Sequence, residues 1–189
     1  LGKSYDENVI FDGLDLRIEK GDRMAIVGVN GAGKSTLARI MAGVEPYQEG
    51  EIELGINTVI GYFAQHSAEI LNPKMTVFET MRAEFPAESV GALRKCLACF
   101  GFDVHDIDKP TSYLSGGERS RLVLSRMLYD PPNFLILDEP TNHLDVESKQ
   151  ALIDALKSYT GTMLFVSHDR HFLDAVATHI LELEGGAAK

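Results

Sequence analysis

The run Gly28-Val29-Asn30-Gly31-Ala32-Gly33-Lys34-Ser35 constrains this chain more than any other stretch. It follows Met24-Ala25-Ile26-Val27, an apolar run the size of a buried strand. It precedes a helix expected from Lys34 to about Met41, since Leu37, Ile40 and Met41 share one face before Gly43. A glycine-rich turn between strand and helix lets backbone N–H groups curl around phosphate oxygens, with the positive end of the helix dipole behind them. Lys34 then reaches the outer phosphates and Ser35 offers a Mg2+ ligand. An ordinary glycine turn has no need of Lys-Ser directly after its third glycine.

A phosphate loop needs an acidic partner for its metal, and Phe134-Leu135-Ile136-Leu137-Asp138-Glu139 supplies one. Two adjacent charges ending a buried strand are costly unless a cation or polar network compensates them. Asp138 is the expected Mg2+ holder, and Glu139, one residue on, is placed to polarise an attacking water. A third segment, Leu114-Ser115-Gly116-Gly117-Glu118, opens a helix. Ser115 with Glu118 reads as a capping box, but a cap does not explain two glycines in a first turn, each costing about 1 kcal/mol against Ala. Bare backbone at a helix N-terminus suits a close-approaching anion. The segment is therefore expected to bind phosphate too, so that two chains would share two nucleotides.

The rest of the pattern supplies the frame. Val9, Phe11, Leu14, Leu16 and Ile18 alternate as a strand with a bulge or turn expected at Gly13, and further strands are expected at 51–54 and 58–64. Residues 66–113 carry Pro73, Pro86 and Pro110 and short helical patterns at 77–83 and 89–100, which predicts a small helical insertion. Beyond it the spacing predicts helices at 116–129, 146–159 and 171–177, with strands at 133–137, 162–167 and 179–183. Buried strands alternating with helices mean an α/β fold with a parallel sheet.

Composition excludes several classes. The 189 residues carry 18 Lys and Arg against 28 Asp and Glu, a formal charge of -10 spread along the chain. No basic stripe offers a nucleic-acid surface, so direct nucleic-acid binding by this piece is not expected. No apolar run approaches the ~18 residues of a membrane span, so no membrane insertion is expected either. Cys96 and Cys99 form a C-x-x-C, but they alternate with Leu93, Leu97 and Phe100 at helical spacing and no second pair completes a zinc site. They read as buried helix-face cysteines of a reducing cytoplasm.

Gln65 after an apolar strand, Asp145 before a helix and His168 after another strand each have a plain structural reading. With the loop at 28–35, Leu114–Glu118 and Asp138-Glu139, however, they stand in the order and rough spacing of an ABC-type ATPase domain, which the whole chain resembles. The resemblance implies a P-loop core with a mostly parallel sheet, an antiparallel β subdomain and a small helical subdomain. That gives one domain over 1–189, its core in 1–65 and 114–189 and its helical part in 66–113. It implies ATP and Mg2+ as ligands, gripped by Gly28, Val29, Asn30, Gly31, Ala32, Gly33, Lys34, Ser35 and Thr36. Ser35, Gln65 and Asp138 would be the metal ligands; Glu139, His168 and Gln65 would be catalytic. Tyr5 falls where the family stacks an aromatic on adenine. Ser115, Gly116, Gly117, Glu118 and Asp145 would serve the nucleotide of a second ABC domain, in the same parent chain or in a homodimer.

Thr141-Asn142-His143-Leu144-Asp145 and Val166-Ser167-His168-Asp169-Arg170 narrow the resemblance to the second ATPase domain of the ABC-F proteins. Their activity on the ribosome in translation, through parts missing from this chain, and a cytoplasmic location are then implied. The chain would be a fragment of a two-domain protein, as the absence of an initiating Met suggests. The alternative is the ATP-binding subunit of an ABC membrane transporter.

Overall fold

The computed structural model describes residues 1–64, 67–184 and 187–188, the last pair and residue 68 by backbone only. The chain divides into two compact units, one of residues 1–63, 132–140 and 160–189, the other of residues 64–131 and 141–159.

The first unit is built on strands. β1 (Lys3–Tyr5) and β2 (Asn8–Phe11) form an antiparallel two-stranded sheet. Its turn places Asp6 at φ 51, a left-handed conformation that Asp tolerates better than most residues. The second sheet takes β3 (Arg23–Val27), β4 (Ile60–Phe63), β5 (Phe134–Asp138), β6 (Thr162–Val166), β7 (His179–Glu184) and β8 (Ala187–Ala188) in the order β4-β5-β6-β3-β7-β8. All neighbours are parallel except β7 and β8. This is the expected α/β architecture with its parallel sheet. β5 is buried along its whole length, as its unbroken apolar run requires. Helix α1 (Lys34–Met41) packs on β5 and β6. Leu37, Ala38 and Ile40 from that helix enter a core with Ile26, Ile136, Leu164 and Val166.

One expected strand is cut short and one is absent. The alternation from Val9 to Ile18 is a strand only as far as Phe11, after which Gly13 at φ 69 turns the chain. Leu14, Leu16 and Ile18 still pack on the core, so the alternation reported a buried face and not a ladder. Residues 51–54 likewise form no strand. The expected strand at 58–64 shortens to 60–63, because the Asn133 side chain occupies its entrance: the Val59 N–H donates to Asn133 Oδ1 at 2.8 Å, and Asn133 Nδ2 donates to the Asn57 carbonyl at 2.8 Å.

The second unit is helical: α2 (Val77–Glu84), α3 (Val90–Cys99), α4 (Gly116–Tyr129) and α5 (Val146–Ser158), with 3-10 turns at 67–70 and 111–113. Leu93, Leu97 and Met81 are fully buried between these helices. Cys99, expected to be buried, is exposed, while the Cys96 thiol lies 3.6 Å from the Ser125 carbonyl and burial pushes its pKa up to about 11. The last helix, α6 (Arg170–Val176), belongs to the first unit, where Phe172 meets Phe165 edge to face.

Candidate functional site

Strand register assembles the first part of the site. Ile26 of β3 and Asp138 of β5 both pair with Val166 of β6, so the three strands end level. The chain therefore leaves them at adjacent points: into residues 28–36, into Ser167-His168 and into Glu139. Crevices at the carboxyl ends of parallel strands are where α/β folds bind ligands.

In the loop, Gly28, Gly31 and Gly33 all have positive φ, at 148, 84 and 92. Gly33 also has no room for a side chain, since a Cβ there would lie 2.6 Å from Ile10 and 2.8 Å from the Phe11 ring. Gly33 is the N-cap of α1 and gives that helix no side-chain cap. Every other described α-helix begins on one: Thr76, Ser89, Ser115, Asp145 and Asp169 each accept from a first-turn N–H. The first-turn donors of α1 are thus left for something other than a cap. Lys34 is buried at 7% exposure, and its ammonium donates to the Gly28 and Val29 carbonyls at 2.9 Å each. Thr36 is buried behind it, whereas Val29, Asn30 and Gly31 are exposed.

Ser35 Oγ donates to Asp138 Oδ1 at 2.9 Å. Burial raises the Asp138 carboxyl above its ordinary range, a push that Ser35, Arg39 and Lys34 partly offset. Glu139 turns out of the strand with φ 52, while its N–H still donates to the Val166 carbonyl at 2.9 Å. A non-glycine residue held there costs of order 1–2 kcal/mol, and such strain gathers at functional positions. Glu139 Oε1 lies 3.4 Å from His168 Nε2. Burial raises the Glu139 carboxyl too, while His168 opposes the shift. A hydroxyl beside a carboxylate is a hard-oxygen pair that fits Mg2+ shared with phosphate oxygens. No cluster of three His, Cys, Asp or Glu forms a self-sufficient cage among the described residues. Gln65 lies outside the described residues.

Tyr5 closes β1 and is 39% exposed. Its hydroxyl donates to Glu45 Oε1 at 3.0 Å and accepts from Arg39 at 3.3 Å. Lys3 and Tyr5 hold the Glu45 carboxyl below its ordinary range.

The remaining predicted residues sit in the second unit. Ser115 Oγ accepts from the Glu118 N–H at 3.3 Å and Glu118 Oε2 accepts from the Ser115 N–H at 2.7 Å, so the capping box is present. Asp145 Oδ1 accepts from the Ser148 N–H at 2.7 Å, which caps α5 and holds the carboxyl below its ordinary range. The two glycines differ. A Cβ at Gly116 would meet nothing within 4 Å, but one at Gly117 would lie 2.4 Å from the His143 carbonyl oxygen. Close packing against the 141–145 segment therefore explains Gly117, and Gly116 alone keeps the open backbone expected for an anion. Neither this contact nor Arg39 and Glu45 was legible in the sequence. The local hint was the glycine stop at Gly43; the left-handed His143, at φ 63, leaves no trace in the sequence.

A profile of the ABC transporter family matches residues 11–142. The chain is 43% identical over 185 residues to the probable ATP-binding protein YbiT of Escherichia coli O157:H7, covering 97% of this chain and 35% of that one. It is 38% identical to ABC transporter F family member 5 of Arabidopsis thaliana, covering 96% of this chain and 26% of that one. The chain thus spans about a third or less of these relatives' length. Among solved structures, the complex of archaeal ribosomal stalk protein aP1 with the archaeal ribosome recycling factor aABCE1 superposes with a TM-score of 0.76. Sequence identity there is 30%, over 90% of this chain and 34% of the matched one.

Proposed function

The chain belongs to the ABC transporter family, and from that premise we propose that it is an ATP-hydrolysing domain of an ABC-F protein acting on the ribosome. The observation that carries the reading is the uncapped start of α1 beside Lys34, Ser35, Asp138 and Glu139. In this reading residues Gly28 to Thr36 wrap the phosphates of ATP, and the Lys34 ammonium turns from loop carbonyls to phosphate oxygens. Ser35 and Asp138, with Gln65, would hold Mg2+, which would supply charge to screen the phosphates. The Glu139 carboxylate takes a proton from the water that attacks the γ-phosphorus, and ADP leaves with its bridging oxygen. A carboxyl raised by burial is a better base than an exposed one. His168 steadies both Glu139 and the γ-phosphate, and Tyr5 stacks on the adenine.

Ser115 to Glu118 and Asp145 serve the nucleotide of a second ABC domain, so each ATP is held by two domains. ATP then favours the closed pair and hydrolysis releases it. The likeness to a ribosome recycling factor supports action on the ribosome.

The test is Mg-ATP binding together with phosphate release. The native chain binds and turns over, Lys34→Ala loses binding, and Glu139→Gln binds without releasing phosphate. Unimpaired binding by Lys34→Ala would refute the site. For the ribosomal role, the parent protein should co-sediment with ribosomes in an ATP-dependent way; sedimentation indifferent to ATP would refute it.

A further inference from the structure

We propose that Glu45 is a positioning residue for nucleotide binding, fixing the Tyr5 ring as the platform for the base. The proposal rests on the reading of Tyr5 given above and deepens it.

Helix α1 delivers the carboxylate. Gly43 at φ 73 stops the helix, and the N–H groups of Val44 and Glu45 both donate to the Arg39 carbonyl, at 3.0 and 3.3 Å. That turn brings Glu45 back beside the Arg39 side chain, whose Nε lies 3.4 Å from Glu45 Oε2. Pro46 follows, and its carbonyl accepts from Lys3 at 2.7 Å. The same ammonium, only 4% exposed, donates to Glu45 Oε1 at 2.7 Å and sits 4.4 Å from the centre of the Tyr5 ring.

Tyr5 is therefore held in three ways. Its hydroxyl donates to Glu45, it accepts from Arg39, and a cation covers one face of its ring. Tyr5 is nonetheless 39% exposed, which leaves part of it open to a flat ligand. Arg39 also reaches Thr36 Oγ1 at 3.4 Å, so the contacts run without a break from Tyr5 into the first turn of α1. Glu45 is the shared partner: without it, two nearby cations lose their counter-charge and the hydroxyl loses its acceptor. A tyrosine that must be ordered before a base can stack binds that base more weakly, because the ordering is then a cost of binding. The contacts of Glu45 are to Lys3, Tyr5 and Arg39 and to no residue of 28–36, so its effect is expected on the base and not on the phosphates.

Calorimetric titration with Mg-ATP and with Mg-tripolyphosphate separates these contributions. Glu45→Ala is expected to weaken ATP about tenfold, the scale of one lost stacking contact, and to leave tripolyphosphate affinity unchanged. Glu45→Gln, which keeps an acceptor for the hydroxyl but not the charge, falls between. In a Tyr5→Ala background, Glu45→Ala has no further effect on ATP. Equal weakening of both ligands, or a full additional loss in the Tyr5→Ala background, would overturn the proposal, since either marks a general structural role. A native chain that binds neither ligand would instead overturn the nucleotide reading and take the proposal with it.

Discussion

Gly116 and Gly117 are neighbours in one helical turn, yet their replacement by Ala should act in opposite directions on stability. At Gly117 the added methyl would sit 2.4 Å from the His143 carbonyl oxygen, a backbone atom that cannot rotate away. Overpacking of this kind costs about 1–3 kcal/mol. The better helix propensity of Ala returns about 1 kcal/mol, leaving a net loss of roughly 1 kcal/mol. At Gly116 nothing lies within 4 Å, so only the gain remains, about 0.5–1 kcal/mol. The two variants should therefore differ by about 2 kcal/mol, or some 4–8 °C in melting temperature for a chain of this length. Urea denaturation of both variants measures the gap, and phosphate release at high chain concentration completes the test. Gly116→Ala should be more stable than the native chain and slower in hydrolysis, because its methyl fills the space kept for the second domain's nucleotide. Gly117→Ala should be slower and less stable. Equal stabilisation of the two variants would refute the packing argument, and full activity in Gly116→Ala would refute the anion argument.

The raised carboxyls give a pH prediction. The folded chain releases the Asp138 and Glu139 protons at higher pH than the unfolded chain does, so stability falls as pH rises from the ordinary carboxylate range through the raised values. Glu139→Gln should then unfold at higher urea than the native chain at pH 7, with the difference shrinking toward pH 4; a constant difference would contradict it. Within the loop, Gly33→Ala should cost about 3 kcal/mol through strained φ and collision with Ile10 and Phe11, against about 1 kcal/mol for Gly31→Ala, where no atom lies near. Matching losses in denaturation midpoint would count against the packing of Ile10 and Phe11 on Gly33.

Helices α1 and α4 have the bounds that their apolar spacing and end signals predict, because Gly43, Ser115 and Glu118 are local and chemically specific. β5 was equally plain, an apolar run closed by two charges. The loop, Asp138, Glu139 and His168 meet because strand register levels the ends of β3, β5 and β6, and the parallel order behind that register was readable from alternating strands and helices. What escaped the sequence was nonlocal or conformational. Glu139 at φ 52 leaves no compositional trace, the close approach of Gly117 to the His143 carbonyl joins the first turn of α4 to a distant loop, and Asn133 trims β4 through a side chain far along the chain. The alternation up to Ile18 misled for a related reason: periodicity reports which face is buried, not whether a partner strand is present.

The claim that each nucleotide needs two domains is tested most directly by phosphate release per chain as chain concentration is varied at saturating Mg-ATP. The account predicts specific activity that rises with concentration toward a plateau and vanishes on dilution, since Ser115–Glu118 and Asp145 must come from a second copy. Specific activity independent of concentration down to high dilution would contradict it.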